Sequence, residues 1–306
     1  MSEIPVKFRH LRTLMEVARQ LSVGKAAEVL HVSQPAVTKT LRELESMVGA
    51  TLVERDGRGI RLTRFGEVFL QHAGASLAAV QRGIDSVARE RANSGPPLRI
   101  GALPTVSARV MPATIERFLA LNTGHPVKIF TGENMVLLEQ LRLGQLDLVV
   151  GRLAAPELMA GLSFKHLYTE QVVFAVRHNH PLLVGRHFDF ARIRDYTVLM
   201  PTRGSVIRPH VESFLVGHGI ADFPSEIETV SDSFGRAMVR QSDAIWIISE
   251  GVVAPDIAAG TLATLPVDTS ETRGAVGLTM RADVDDPPSV SLLATCLDDT
   301  VRDLKL

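Results

Sequence analysis

A short run of polar and basic side chains near the start of the chain has the chemistry needed to contact nucleic acid. Gln34, Thr38, Lys39 and Arg42 recur at about one helical turn. Glutamine can hydrogen-bond the edge of adenine, and lysine or arginine can bind guanine or a backbone phosphate. Residues at this spacing share one face of a helix. We therefore expect an exposed helix face that addresses bases and phosphates.

Three helices are predicted to position that face. Apolar residues at helical spacing mark helices over Phe8–Leu21, Val23–Leu30 and Gln34–Val48. The third helix has clear ends, because Ser33 is a good N-cap, Pro35 suits the first turn, and Gly49 suits the stop. A short helix, a tight turn and a capped longer helix form a helix-turn-helix, whose second helix enters the major groove. An ordinary three-helix bundle with solvated basic side chains would show a similar pattern.

A short hairpin after the third helix favours the helix-turn-helix. Thr51–Val53 and Ile60–Leu62 are predicted strands joined by a glycine-bearing turn. The hairpin carries Arg55, Arg58 and Arg61. Arginines beside a recognition helix can contact the phosphate backbone or the minor groove. The sequence therefore predicts a winged helix-turn-helix with Ser33, Gln34, Pro35, Thr38, Lys39, Arg42, Arg55, Arg58 and Arg61 at the nucleic acid.

The next element is predicted to be one long helix, from Arg64 to about Arg91. Its apolar residues alternate at spacings of three and four, which is a heptad seam. The seam consists of Leu70, Ala73, Leu77, Val80, Ile84 and Val87. Pairing with the same helix of a second chain is the favoured interpretation; packing against its own domain is the alternative. A dimer would present two recognition helices to two half-sites.

Charge is distributed unevenly along the 306 residues. The whole chain has 33 basic and 34 acidic residues, but residues 1–94 have 14 basic against 10 acidic and the remainder 19 against 24. We expect only the front to meet nucleic acid. The one cysteine excludes an intramolecular disulfide. Because neither a signal-peptide pattern nor an apolar run of about 18 residues is present, we expect a cytoplasmic protein without a membrane span.

Strands and helices alternate in the rest of the chain, which predicts parallel sheets with helices on both faces. In a first lobe the predicted elements are a strand Leu98–Ala102, a helix opening near Ser107 and running to Leu121, a strand Val127–Phe130, a helix Met135–Leu143 and a strand Leu146–Gly151. In a second lobe the predicted strands are Val172–Val176, Tyr196–Met200, Glu226–Val230 and Ile245–Ile248. A strand Val276–Met280 and a helix Val290–Leu304 return to the first lobe.

This pattern divides the chain into three parts. They are a DNA-binding domain over 1–63, a linker helix over 64–94 and an effector-binding domain over 95–306. Lobe I spans about 97–168 and 274–306, and lobe II about 169–273. A chain that leaves one lobe and later returns crosses twice, so we expect a hinged cleft.

Ligands of open α/β sheets bind beyond the carboxyl ends of the strands. At those ends the sequence places Pro104, Thr105, Ser107, Asn134, Arg152, Pro201, Thr202, Arg203 and Ser231. Hydroxyls, backbone amides and two arginines suit a carboxylate, which an arginine fork binds through two hydrogen bonds. For Ser107 and Ser231, helix capping is the more ordinary role.

The amino-terminal ninety residues closely resemble the LysR-type transcriptional regulators. The resemblance rests on AAEVLHVSQPAVTKTLRELE, on the wing entry LVER and on LTRFGE, and it continues more diffusely to the end of the chain. It implies an all-α winged helix-turn-helix, a dimerising linker helix and an α/β, two-lobed, periplasmic-binding-protein-like domain. It also aligns Thr105, Asn134, Arg152 and Thr202 with positions that contact effector in muconate-sensing members.

A narrower resemblance concerns the pathway. The runs VGKAAEVLHVSQPAV, ERDGRGIRLTRFGEVFLQHAGASL and GIDSV are similar to regulators of protocatechuate catabolism. This implies an activator that responds to a carboxymuconate-like ring-cleavage product, binds an operator in duplex DNA as a dimer or dimer of dimers, and contacts RNA polymerase. A regulator of another pathway, sensing a different metabolite, remains open.

Other functions receive little support from the residues. An enzyme fused to a DNA-binding head is the competing class, but no G-x-S-x-G, Walker A, Rossmann or C-x-x-C motif occurs. His178 and His180 have no third ligand nearby, so we expect neither a metal nor another cofactor. Cys296 and Trp246 are expected to be core residues.

Overall fold

The chain folds into two compact units. The computed structural model describes residues 6–57, 59–90, 95–184, 188–282, 284 and 287–306, with the backbone alone at 82, 85, 86 and 88–90. The first unit comprises Met1–Pro96 and Arg142–Gln145, and the second comprises Pro97–Leu141 and Leu146–Leu306.

Hydroxyl caps and apolar periodicity shape the first unit. Its elements are α1 (Phe8–Gln20), α2 (Val23–Leu30), α3 (Gln34–Val48), β1 (Val53–Asp56), β2 (Gly59–Leu62) and α4 (Arg64–Glu90). The Ser22 and Ser33 hydroxyls accept amide hydrogen bonds that begin α2 and α3. The predicted bounds of these two helices are confirmed. Their core consists of Leu14, Val17, Ala26, Ala27, Val37, Leu41, Leu44 and Leu52.

The hairpin begins later than predicted. Strand β1 starts at Val53 rather than Thr51, because the Glu45 carboxylate accepts hydrogen bonds from the amides of Leu52 at 2.8 Å and Val53 at 3.3 Å. Those contacts attach this segment to α3 before strand pairing starts. The Thr63 hydroxyl then accepts from the amide of Gly66 at 3.1 Å and caps α4, which begins at Arg64 as the sequence predicts. The expected end of α4 at Arg91 lies outside the described residues.

The second unit contains two five-stranded sheets. Its elements are β3 (Leu98–Ala102), α5 (Pro104–Arg109), α6 (Met111–Ala120), β4 (Val127–Phe130), α7 (Asn134–Arg142), β5 (Leu148–Arg152), β6 (Leu162–Glu170), β7 (Val172–Arg177), β8 (Val198–Met200), α8 (Arg208–Gly217), β9 (Glu226–Glu228), α9 (Asp232–Gln241), β10 (Ile245–Ser249), α10 (Glu250–Ala258), β11 (Leu262–Thr264), β12 (Gly274–Arg281) and α11 (Pro288–Asp303). The strand orders are β4-β3-β5-β12-β6 in lobe I and β11-β7-β10-β8-β9 in lobe II.

The sheets are mixed, which corrects the expectation of parallel pairing throughout. Strands β3, β4 and β5 run parallel, as do β8, β9 and β10. Strand β12 runs antiparallel to β5 and β6, and β7 runs antiparallel to β10 and β11. The antiparallel strands flank the two crossings between the lobes, where the chain enters a sheet from the opposite end. Strands β6 and β11 were not anticipated from the sequence.

Two chain segments join the lobes. The first crossing passes through Gln171, between β6 and β7, and the second leads from β11 back to β12. The helix expected from Ser107 to Leu121 is divided at Val110 into α5 and α6, and Pro112 occupies the first turn of α6, where no amide donor is needed. Among the described residues, no helix is both long and apolar enough to cross a membrane.

Candidate functional site

The exposed face of α3 forms one open groove of about 750 Å³ in the first unit. Its lining is Gln34, Pro35, Thr38, Lys39, Arg42, Glu43, Ser46 and Met47. The opposite face of α3 is buried through Val37, Leu41 and Leu44, which fixes the rotation of the helix. Five of the predicted nucleic-acid residues therefore lie on one accessible surface. Ser33 is next to this surface and serves as the N-cap, its hydroxyl accepting from the Ala36 amide at 3.4 Å.

A buried histidine, His10, hydrogen-bonds Glu43, which lines this groove. His10 is fully buried in α1, and its Nδ1 accepts a hydrogen bond from the amide of Lys7 at 3.0 Å. Its Nε2 therefore carries the proton and donates to the Glu43 carboxylate at 3.3 Å, which also accepts from Arg9 at 3.2 Å. Burial acts to raise the pKa of Glu43, but the hydrogen bonds from His10 and Arg9 outweigh it, so the pKa is lowered. Sequence reasoning missed Glu43 because its partners lie more than thirty residues away.

The arginines that the structure describes on the hairpin differ in the residue that stands opposite them on the neighbouring strand. In the β1–β2 register Glu54 stands opposite Arg61, and the two side chains form an ion pair at 2.8 Å. Arg55, opposite Ile60, is exposed. A phosphate would therefore compete with Glu54 for Arg61 but would meet no such cross-strand acid at Arg55. The predicted contact at Arg58 lies outside the described residues.

A cleft of about 550 Å³ lies between the lobes of the second unit. Eight of the nine predicted effector residues line it, namely Pro104, Thr105, Ser107, Asn134, Arg152, Pro201, Thr202 and Ser231. Arg203 does not line the cleft: its side chain is 87% exposed, with its nearest ion-pair partner, Glu228, 4.0 Å away. A turn closed by the Ser205 amide and the Thr202 carbonyl directs it to solvent, which corrects its assignment.

Two residues that line the cleft have buried donors without a hydrogen-bond partner. Arg152 ends β5 and is 4% exposed; one terminal nitrogen, Nη2, donates to the Thr272 carbonyl, while Nη1 is buried without a partner. Asn134 begins α7 and is 3% exposed, with its amide nitrogen Nδ2 likewise buried and unpaired. Leaving buried donors unpaired costs free energy, so a carboxylate that accepts from both would be stabilised.

Glu170 is a buried carboxyl group that sequence reasoning missed. The Thr105 hydroxyl donates to it at 2.5 Å, and Ser249 and the Gly251 amide also hydrogen-bond it. Burial raises the pKa of Glu170, against the lowering effect of these bonds and of the charge of Arg152. Burial likewise lowers the pKa of Arg152, against the charge of Glu170. The Thr105 hydroxyl therefore donates its hydrogen to Glu170, although Thr105 lines the cleft.

The remaining predicted hydroxyls have structural partners. Ser107 donates to the Leu103 carbonyl at 3.0 Å, and Ser231 accepts from the Phe234 amide at 3.2 Å and so caps α9. Thr202 donates across the cleft to Glu133 at 3.3 Å. These hydroxyls are therefore used within the protein, whereas Arg152 and Asn134 each have a buried donor without a partner. The rest of the lining combines apolar and polar side chains. The apolar ones are Leu103, Pro104, Pro201, Val206, Ile207, Val230, Trp246, Ile248 and Val252, and the further polar ones are Thr131, Glu133, Ser205, Thr229, Asp232, Ser233, Arg236 and Ser249.

The residues for which the sequence does not support a metal or redox role lie in ordinary structural environments. His180 is fully buried; its Nδ1 accepts from the Leu182 amide, and its Nε2 donates to the Asp243 carbonyl at 3.0 Å. Within the described ranges, no group of three or more histidine, cysteine or carboxylate side chains could hold a metal ion. Cys296 is buried in α11, and burial raises the pKa of its thiol. Trp246 is also buried, but it borders the cleft.

Comparison with known proteins decides the family. Residues 8–67 match the model of the bacterial regulatory helix-turn-helix protein, lysR family, and residues 91–302 match that of the LysR substrate binding domain. The chain belongs to the LysR family of transcriptional regulators. It is 61% identical over 299 residues to the HTH-type transcriptional regulator PcaQ of Agrobacterium fabrum, covering 98% of this chain and 96% of that protein.

Solved structures of whole LysR regulators share the fold. A full-length OxyR variant from Pseudomonas aeruginosa is 25% identical, with a TM-score of 0.61, covering 95% of this chain and 94% of that one. Full-length CbnR complexed with its target DNA is 22% identical, with a TM-score of 0.58, covering 96% of this chain and all of that one (100%). The winged helix-turn-helix, the linker helix and the two-lobed α/β domain are thus confirmed. This LysR-family chain is a DNA-binding transcriptional regulator with a LysR substrate-binding domain, rather than an enzyme.

Within this family assignment, Gln34 at the start of α3 can be tested for base reading. We expect Gln34→Ala to weaken binding to the operator by roughly ten- to a hundredfold, since a good bidentate contact to a base contributes about 1–3 kcal/mol. Binding to a scrambled duplex of equal length should change less than about twofold, because phosphate contacts carry no sequence information. Filter binding or fluorescence anisotropy at one fixed salt concentration measures both affinities.

The control for this change is Gln71→Ala, at an exposed glutamine on α4. It should leave both affinities unaltered. Equal losses on the operator and on the scrambled duplex in the Gln34 variant would show that Gln34 supports binding without reading a base.

Proposed function

We propose that this LysR-family regulator activates genes for the breakdown of protocatechuate or a related aromatic acid in response to a carboxymuconate-like ring-cleavage product. The supporting observation is the pair of unsatisfied buried donors, Arg152 Nη1 and Asn134 Nδ2, on residues that line the cleft between the lobes. A ring-cleavage acid has a carboxylate for these donors and a flat unsaturated body for the walls. The similarity to PcaQ supports the pathway. The proposal includes no cofactor.

The cleft has the properties of a small-molecule site. Its volume of about 550 Å³ lies within the range of roughly 300–1,000 Å³ that is usual for such sites. Three hydroxyl groups of the lining, those of Thr105, Ser107 and Ser231, have partners within the protein. Orientation of the ligand would therefore come from Arg152 and Asn134, and affinity from contact with the walls.

The proposed mechanism is a shift between two arrangements of the lobes. Ligand bound at Arg152 contacts lobe I, and the walls at Pro201 and Val230 belong to lobe II, so a ligand that touches both favours the closed cleft. The shift in equilibrium equals the difference in ligand affinity between the open and closed states. A dimer of dimers on the operator would transmit the change to RNA polymerase. These steps take place in the cytoplasm.

The seam of α4 supports the proposed oligomer. Leu70 packs against the helix-turn-helix core, and Ala73 is buried. Farther along, Leu77 is half-buried and Val80, Ile84 and Val87 are exposed. The later half of the seam is therefore available to the same helix of a second chain. We propose a homodimer through this face, and a homotetramer as two such dimers.

A footprint on DNA tests the proposed function. The purified full-length protein is added to the DNA upstream of its own gene and of the divergent neighbour, with and without carboxymuconate. Protection of a two-fold symmetric site that changes with this acid supports both the operator and the effector. Unchanged protection would exclude carboxymuconate as effector and require a wider panel of metabolites. Loss of all protection would refute regulation at that intergenic DNA.

A further inference from the structure

The two segments that cross between the lobes are joined by buried threonine hydroxyls. Thr269 donates to the carbonyl of Val172 at 2.6 Å, and the amide of Val172 donates to the Thr272 hydroxyl at 3.0 Å. The Thr272 hydroxyl donates in turn to the Thr269 carbonyl at 2.7 Å. Both threonines are almost fully buried. Val172, the first residue after the first crossing, is therefore tied to the second crossing at 269–272, and the two crossings form one connected hinge.

Arg152 lies directly against this hinge. Its Nη2 donates to the backbone carbonyl of Thr272, and Leu153, the next residue, donates its amide to the Ala275 carbonyl at 2.9 Å. Between Thr272 and Ala275 lies Gly274. A Cβ atom added at Gly274 would stand 2.4 Å from both Nε and Nη2 of Arg152 and 2.6 Å from Cζ. The guanidinium thus occupies the space that a side chain at Gly274 would need.

This space is the reason for a glycine at position 274. Gly274 does not have the left-handed backbone conformation that favours glycine, since its φ lies outside the range of +20° to +160°. It begins β12, in register with Glu170 of β6, where other residue types adopt the same backbone freely. The three nearest atoms that an added Cβ would meet all belong to the Arg152 guanidinium. The requirement is therefore set by Arg152 rather than by the fold of the strand.

We propose that Gly274 and the Thr272 carbonyl are positioning groups for the effector-binding arginine and that they couple it to the hinge. They hold Nε and Nη2 of Arg152 against the second crossing and leave Nη1 for the carboxylate. A carboxylate that binds Nη1 then acts on a side chain fixed to the segment that must move when the lobes close. This inference rests on the proposed role of Arg152 as the carboxylate anchor.

A double-mutant cycle in the full-length protein tests the positioning role. The variants are Gly274→Ala, Arg152→Lys and the two combined, with Gly217→Ala as the control. An added Cβ at Gly217 meets nothing within 4 Å, and its φ is not left-handed. The probe is carboxymuconate, and the readout is fluorescence of Trp246, the one tryptophan of the chain, which borders the cleft.

We expect Gly274→Ala to lower the affinity for carboxymuconate at least tenfold, while Gly217→Ala changes it less than twofold. Arg152→Lys should also weaken binding. Adding Gly274→Ala to Arg152→Lys should cost less than about twofold more, because residues that act through one another are not additive. The positioning role would be overturned if the double variant lost affinity by the product of the two single losses, or if Gly274→Ala bound carboxymuconate normally. Normal binding by Arg152→Lys would overturn the proposed anchor and, with it, the inference.

Thermal unfolding gives a readout that does not depend on ligand. Gly274→Ala should lower the melting temperature less in the Arg152→Lys background than in the wild type, because an ammonium group lacks the guanidinium fork that meets the new methyl group. Equal decreases in both backgrounds would show that the methyl group clashes with something other than Arg152, contrary to the proposal. Operator binding without ligand should be the same in all four variants.

Discussion

Arg152→Ala is expected to abolish the response to carboxymuconate, with affinity for the acid reduced at least about a hundredfold. Arg152 is 4% exposed, and its Nη1 is one of two unsatisfied donors in the cleft. A hydrogen bond to a charged group contributes about 1.5–3 kcal/mol, and removal of the guanidinium also leaves the bound carboxylate without its counter-charge. Each 1.4 kcal/mol is a factor of about ten in affinity. Isothermal titration with the acid measures the loss directly.

Arg203→Ala is the matched control for this prediction. Arg203 has the same charge and lies in the same unit, but its side chain is 87% exposed and outside the cleft. Its removal should leave the affinity within about twofold of the wild type. Both variants should bind operator DNA normally in the absence of ligand, because the α3 surface belongs to the other compact unit. An Arg152→Ala protein that still responds to the acid would refute the placement of the effector carboxylate.

The structure shows why Arg152 could be predicted and Arg203 could not. Arg152 immediately follows the apolar residues of β5, so its position at a strand end follows from the sequence pattern. Arg203 also follows a buried strand, β8, but two residues farther on and inside a turn. The direction of a side chain in a turn depends on backbone angles that apolar periodicity does not encode. Because both arginines follow an apolar strand, the sequence pattern alone could not distinguish Arg152 from Arg203 as cleft residues.

The helices and strands also differ in how well the sequence predicts them. The bounds of α3 are predictable because Ser33, Pro35 and Gly49 specify its ends. Strand β6 was missed because LSFKHLYTE mixes polar and apolar residues on a strand that is only partly buried at one end. Its antiparallel pairing with β12 joins residues more than a hundred positions apart, and no local signal reports such a contact. Burial alone does not decide which strands are predictable, because the mostly exposed β4 was anticipated with the bounds that the structure shows.

The same limit hid the interior of the candidate site. Thr105 was correctly placed at the cleft, but its partner Glu170 lies 65 residues away. The contact of Arg152 with the Thr272 carbonyl spans 120 residues. Residue type and strand position predict which side chains reach the cleft. Which of them remain free for a ligand depends on long-range contacts, and among the described residues that line the cleft Arg152 and Asn134 each keep a buried donor without a partner.

The second large effect is expected at the α4 seam, where Ile84→Asp should convert the dimer to monomers. Ile84 is 59% exposed in the single chain, and pairing with a second α4 would bury it. An aspartate there would place two carboxylates in an apolar interface, and an unpaired buried charge costs several kcal/mol. Operator affinity should fall at least about a hundredfold, because each monomer then binds one half-site alone. Analytical ultracentrifugation and binding to a two-half-site duplex measure these changes.

Ala79→Asp introduces the same charge at an exposed residue of α4 outside the seam. It should leave both mass and operator affinity near wild-type values, which separates the seam from a general effect of negative charge near DNA. If Ile84→Asp remains dimeric, the later half of the seam is not the interface. A monomeric variant that retains full operator affinity would instead show that one recognition helix is sufficient, and that the two-fold site expected in the footprint is not required for binding.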